Sequence, residues 1–238
     1  MSGRSGRLRG VSEEIQERRG CMGRLMVWFV VLLLGGFAAA LYFTAQPQNL
    51  DDVAGYRMSE GGQTRNLKRV LENAVQRGYP VTISEAEINR YLRRSLKARQ
   101  GGELGKWVEI RGVAVRLEDG RAEIVVERKI ADKWAFTVSM YLSVEVTEDE
   151  KGVKKILHLH GGPYSEKFPW LNRGGRFGQL VMPQGFLILV LEPYRKLGEI
   201  YKRELDIAFK DMARIRIEKG RMVLDPRPQG DTMGLEEF

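Results

Sequence analysis

The chain holds one cysteine, Cys21, so no disulfide can form within it. Cys21 precedes the only long apolar run, and everything after that run must be stable through its core alone. The position also excludes a lipoprotein of the bacterial kind, whose lipidated cysteine comes after the run. What remains is an inert thiol or an acylated cysteine beside a membrane span, and the inert thiol is the plainer reading. Histidine is almost as scarce. His158 and His160, two apart on a predicted strand, would share a face as a metal pair does. Two ligands do not make a site, and no second cysteine exists to complete one. No GxSxG elbow accompanies any serine and no GxxxxGK[ST] loop is present. The glycines at 161, 162, 174, 175, 178 and 185 therefore read as loop turns. Glu85 and Glu87 are imaginable as paired acids, yet a capping role already accounts for Glu87. The prediction is a protein that is not an enzyme, with no catalytic, cofactor-binding or metal-ligating residue and no cofactor.

What the chain does have is positive charge and one apolar segment. The formal charge is +8, of which residues 1–24 carry +3 through six arginines against three glutamates. Later cations are interleaved with Asp and Glu, the pattern of a solvated surface, so nucleic acid is not expected as a partner. From Leu25 to Thr44 the sequence LMVWFVVLLLGGFAAALYFT carries no charge. Twenty residues of helix reach about 30 Å, the thickness of the hydrocarbon layer. Trp28 and Tyr42 stand near its ends, Arg24 closes one side, and Asp51 and Asp52 lie beyond the other. The positive-inside rule then puts the amino terminus in the cytoplasm and the bulk on the far side of the membrane. A cleaved signal peptide is the competitor, because Ala38-Ala39-Ala40 offers small residues to a signal peptidase. The apolar run continues past them through Leu41, Tyr42 and Phe43, which favours an uncleaved anchor.

The predicted organisation is a basic cytoplasmic tail (1–24), a transmembrane helix (25–44), a linker (45–63), an extracytoplasmic α+β domain (64–228) and a tail (229–238). Pro47, Gly55, Gly61 and Gly62 suggest the linker. Leu67, Val70, Leu71, Ala74 and Val75 recur at helical spacing over 64–77, with Gly78 and Pro80 as a stop. In VTISEAEINRYL, Ser84 and Glu87 form a capping box, and Ile83 and Ile88 a hydrophobic staple. Ile88, Tyr91, Leu92 and Leu96 make a buried face, with Arg90, Arg93, Arg94 and Lys97 opposite. Strand periodicity comes next. Strands are expected near 106–117 and 121–130 around Asp119-Gly120, then over 134–147, where apolar and polar residues alternate, then near 153–163. One face of this meander should be buried and one wet. Phe186, Leu189, Val190, Pro193, Leu197, Ile200, Tyr201 and Leu205 predict a long amphipathic helix over 184–206, kinked or divided at Pro193. ARIRIEKGRMVLDP closes as a hairpin at Lys219-Gly220. The fold class is thus α+β: a curved antiparallel sheet packed on a long amphipathic helix, with two shorter helices before it.

One stretch places aromatic groups beside cations: Phe168, Trp170, Leu171, Arg173 and Arg176. That mixture suits contact with a bilayer interface or a protein partner, and a loop folded back over the core is the alternative.

The span, TISEAEINRYL, RFGQLVMPQGF and ARIRIEKGRMVL together resemble the YpmS-like and related families of membrane-anchored extracytoplasmic bacterial proteins. Some families of that layout are similar to lipid-binding folds in which a curved sheet wraps a helix. The resemblance implies a non-enzymatic envelope protein that binds membrane lipid or assists envelope assembly, with an acyl chain in the groove beside 184–206. The alternative is an interaction or structural module of a membrane complex, with an envelope protein as partner. No ligand residue carries over.

Overall fold

A computed structural model describes residues 6–57, 65–99, 109–130, 134–149, 152–161, 167–189 and 191–227. The predicted tail at 229–238, linker residues 58–63, strand residues 106–108, 162 and 163, and Val190 lie outside these. The chain divides into two compact units, Met1–Phe43 and Thr44–Phe238.

The first unit is helical. Helix α1 runs Gly6–Ala45, and its Gly23–Ala45 stretch is long and apolar enough to cross a membrane. Leu25, Trp28, Phe29, Leu32, Leu33 and Phe37 are all exposed. Such a surface is stable in lipid and not in water. It fits a single-pass anchor or a signal peptide alike.

The second unit is mixed α+β, with open antiparallel sheets. Helix α2 (Leu67–Arg77) is capped by Asn66, whose side chain accepts from the Arg69 amide, and ends on Gly78 in the left-handed region. Strand β1 (Val81–Ser84) leads into α3 (Glu85–Arg99). The capping box is formed: the Glu87 amide donates to Ser84 Oγ at 3.3 Å, and the Ser84 amide to Glu87 Oε2 at 2.9 Å. Then come β2 (Glu109–Glu118), β3 (Arg121–Ile130), β4 (Trp134–Asp149) and β5 (Gly152–His158). After β6 (Arg173–Phe177) and β7 (Leu180–Pro183) the chain enters its carboxyl-terminal helices. The larger sheet has the order β2-β3-β4-β6-β7, and β5 pairs with the far half of β4, Ser143–Asp149. Strands β8 (Arg214–Glu218) and β9 (Arg221–Asp225) form the predicted hairpin. Sequence periodicity offered no hint that β9 also pairs with β1, Val81 against Leu224, to make a separate three-stranded sheet.

The two predicted turns hold these sheets together. The Gly120 amide donates to Ile217 O at 2.9 Å and the Gly220 amide to Leu117 O at 3.1 Å. Around this clasp Val115, Leu117, Ala122 and Ile217 are buried together. Both glycines have positive φ, 74° and 75°, which a side chain would resist.

Three expectations are corrected. The helix predicted over 184–206 is broken into a 3-10 helix at Gln184–Leu189, α4 (Leu191–Ile200) and α5 (Lys202–Asp206), continued by a π-helix at Ile207–Asp211. Pro193 sits in the first turn of α4, where its missing amide hydrogen costs nothing, so the break falls before it. Second, the segment 46–57 of the expected linker is folded onto the sheet. Leu50 and Val53 are buried against Ala114 and Val125. Third, neither face of the large sheet's centre is wet: Thr137, Ser139 and Tyr141, on the polar side of β4, are almost completely buried.

Candidate functional site

Five residues were singled out by the sequence, and the structure divides them into two groups. Phe168, Trp170 and Leu171 belong to a tight turn whose Leu171 amide donates to Phe168 O at 3.0 Å, with Pro169–Leu171 in 3-10 geometry. Beside it lies the 3-10 helix Gln184–Leu189, fixed where the Gln184 amide donates to Asn172 O at 2.5 Å. The two touch at Gly185, where a Cβ would stand 3.5 Å from Trp170 O. Gly174 lets the second turn lie directly on β6, since a Cβ there would press into Gln184 Cα and the Leu187 side chain. Among the described side chains of this turn, Leu187 reaches the core.

Phe168, Trp170, Leu171, Phe186 and Ile188 point outward. Phe168 is 53%, Trp170 59%, Leu171 53%, Phe186 50% and Ile188 73% exposed. The rings of Phe168 and Trp170 meet edge to face at 6.4 Å. This is an apolar rim on two adjacent turns, and a loop folded back over the core does not describe it. Phe186 and Ile188 escape a sequence reading because PQGFLILVL has the spacing of one buried helical stripe.

Arg173 and Arg176 turn to the polar side of the sheet. Three positions apart on a regular strand, they would face opposite ways. The pairing of β6 with β7 is irregular between Arg173 and Gly175, which brings both to Tyr141. Arg173 donates to the Tyr141 hydroxyl and lies over its ring, 4.6 Å from the centroid. Arg176 Nε donates to the same hydroxyl at 3.0 Å and stands 3.7 Å from Glu123 Oε1. Glu123 is fully buried. It also accepts from Ser139 Oγ at 2.6 Å and from Arg116 at 2.5 Å, and Arg116 in turn bridges to Asp52 at 3.0 Å. Burial, reinforced by the Glu123 charge, pushes the Tyr141 hydroxyl above its ordinary pKa. An open hollow of about 740 Å³ borders this network, lined by Gln48, Asn49, Asp52, Arg116, Glu118, Arg176 and Gln179. Each carboxylate of the network meets a guanidinium, so the arrangement neutralises buried charge, and the Ser139 hydroxyl donates to Glu123.

The remaining candidates resolve simply. His158 Nε2 lies 2.8 Å from Glu145 Oε2, and its ring meets that of His160 edge to face at 5.7 Å. Among the described residues no group of three or more His, Cys, Asp or Glu side chains is placed to hold a metal ion. Glu85 and Asn89, one helical turn apart on α3, are buried for a reason unrelated to acid chemistry. Glu85 accepts from the Ala54 amide at 2.9 Å and from the Leu117 amide at 2.7 Å. Asn89 donates to Ala54 O at 2.9 Å and Val115 O at 2.8 Å, and accepts from the Val115 amide at 2.7 Å. The pair pins the 48–57 segment and β2 to the helix.

No family model matches the chain, and no curated protein matches it.

The space between α4 and the sheet, where an acyl chain was expected, is filled by side chains. Leu96, Val113, Val126, Val138, Met140, Leu187, Tyr194, Leu197 and Tyr201 form one buried cluster. At its centre the Tyr194 hydroxyl donates to Ile124 O at 3.0 Å and Val138 O at 2.9 Å, and burial raises its pKa well above the ordinary value. The apolar side chains of Phe168, Trp170, Leu171, Phe186 and Ile188 lie instead on the outer surface.

Proposed function

We propose that the chain is a membrane-anchored, non-enzymatic bacterial protein that keeps its folded unit at the outer face of the inner membrane and serves envelope assembly there. The resemblance to the YpmS-like families belongs to this reading, as does an architecture of antiparallel sheets packed with helices. The observation that carries it is the Gly23–Ala45 helix together with the shortness of the chain joining it to the sheet. Only Gln46 and Pro47 separate Ala45 from Gln48, whose amide is already tied to Thr137 Oγ1 at 2.8 Å. Fully extended, such a connection reaches only about 10 Å, so an uncleaved helix confines the folded unit to the membrane surface. A filled interior and charge networks closed on themselves support a role in contact, not in catalysis.

Two measurements test the proposal. The mature protein should retain its amino terminus by mass, and protease added to spheroplasts should digest the region after residue 44. A mature start at Leu41 or Gln46 refutes the anchor, and protection of the folded unit from external protease refutes the topology.

A second reading, an interaction module within a membrane complex, draws on the same exposed rim. A stoichiometric protein partner recovered by crosslinking in native membranes would favour it.

A further inference from the structure

We infer that the rim formed by the 168–171 turn and the Gln184–Leu189 helix is a bilayer-docking surface, whose occupant is the headgroup and upper acyl region of the membrane that carries the protein. The inference rests on the anchored reading above.

Its first support is chemical. Phe168, Trp170, Leu171, Phe186 and Ile188 project together from two adjoining turns, and each is half exposed or more. Tryptophan and phenylalanine flanked by aliphatic groups match the boundary between headgroups and acyl chains. Contiguous apolar surface of this kind marks a contact site. The backbone adds a second support. The Leu171 amide is bonded to Phe168 O and the Gln184 amide to Asn172 O, so these groups need no water when the turns enter the interface.

Charge supplies the third. From Lys167 to Leu191 the sequence contains no Asp or Glu, and with Arg173 and Arg176 turned to Tyr141 on the other side of the sheet, the cation at the rim is Lys167. Lys167 is exposed beside the apolar tips. No carboxylate in this stretch opposes anionic headgroups, and each cation near the surface strengthens the attraction. The last support is the short connection from Ala45 to Gln48. A unit held within about 10 Å of chain from a span meets the bilayer at a high effective concentration, so a shallow insertion too weak for a free protein becomes populated.

The test uses the full chain with Cys21→Ser, reconstituted in phosphatidylethanolamine and phosphatidylglycerol vesicles. An environment-sensitive fluorophore is placed in turn at Ile188→Cys, Leu33→Cys and Arg221→Cys, the last on the exposed β8–β9 hairpin. Brominated acyl chains should quench the labels at 188 and 33 about twofold or more and leave the label at 221 unchanged. Combining Trp170→Ser with Phe186→Ser should abolish quenching at 188 and leave that at 33 intact, which separates loss of docking from loss of the anchor. Quenching at 33 without quenching at 188 overturns the inference and spares the anchored reading. Absence of quenching at 33 overturns the anchored reading and, with it, the inference. A photocrosslinker at 188 that captures one protein in native membranes in place of lipid also overturns it.

Discussion

Asn89→Ala removes three hydrogen bonds from one fully buried side chain, and its cost can be worked out from the structure. The amide of Asn89 joins Ala54 O, Val115 O and the Val115 amide at 2.7 to 2.9 Å. Each such bond is worth about 1 kcal/mol net, and a buried group left without a partner costs about 1 to 3 kcal/mol. Alanine is the better helix former and returns about 0.5 kcal/mol. The expected loss is therefore about 3.5 to 5.5 kcal/mol, a large part of the stability of an ordinary domain at about 5 to 15 kcal/mol. The assay is urea unfolding of the full chain in detergent, with amide hydrogen exchange read at residues 48–57 and at Val115. Asn66→Ala, which removes only the cap of α2, serves as the scale at about 1 kcal/mol. In the Asn89 variant the Val115 amide, which loses its acceptor, and the Ala54 amide, held by the neighbouring Glu85, should lose protection first. A loss below about 1 kcal/mol with both amides as protected as in the parent would refute the claim that this residue fastens the segment.

Two glycines should respond in opposite directions. Gly175→Ala places a Cβ against the Ser139 carbonyl, a backbone group of the neighbouring strand that cannot rotate aside, and should cost about 3 kcal/mol by thermal unfolding. Gly198→Ala, within α4 and facing open space, should stabilise by up to about 1 kcal/mol in the same assay. Acid should weaken the start of α3. Burial pushes the Glu87 carboxyl up, yet bonds from Ser84 and the Arg65 charge outweigh it and hold the group below its ordinary 4.5. A depressed folded-state value means the contribution is complete above the ordinary value and disappears as pH falls through the lower one. Urea midpoints measured from about pH 6 to about pH 3 should fall less steeply in Glu87→Gln than in the parent.

Features set by a few neighbouring residues were legible in the sequence. The Ser84 and Glu87 cap, the stop at Gly78 and the turns at Asp119-Gly120 and Lys219-Gly220 each depend on local backbone chemistry, and each is present. Features decided by distant contacts were not. Glycine and proline at 47 and 55 signalled irregular backbone correctly, but irregular backbone is no less able to cover a sheet, and Leu50 and Val53 were the overlooked hint. The apolar run from Phe186 to Leu205 has helical spacing, and only the junction with β6 and Trp170 turns Phe186 and Ile188 outward. Of the five residues singled out, Phe168, Trp170 and Leu171 are exposed together on one turn. The arginine half was misplaced because a local irregularity in β6, invisible to a period-two count, redirects Arg173 and Arg176 towards Tyr141.

The pairing of β1 with β9 sets a schedule for assembly. Val81 can find its partner Leu224 only after the chain between them has been made, so this contact closes a long loop and carries the entropy cost of a non-local pairing. Until then Val81 and Ile83 present an unpaired strand edge, the kind of surface on which newly made chains aggregate or chaperones take hold.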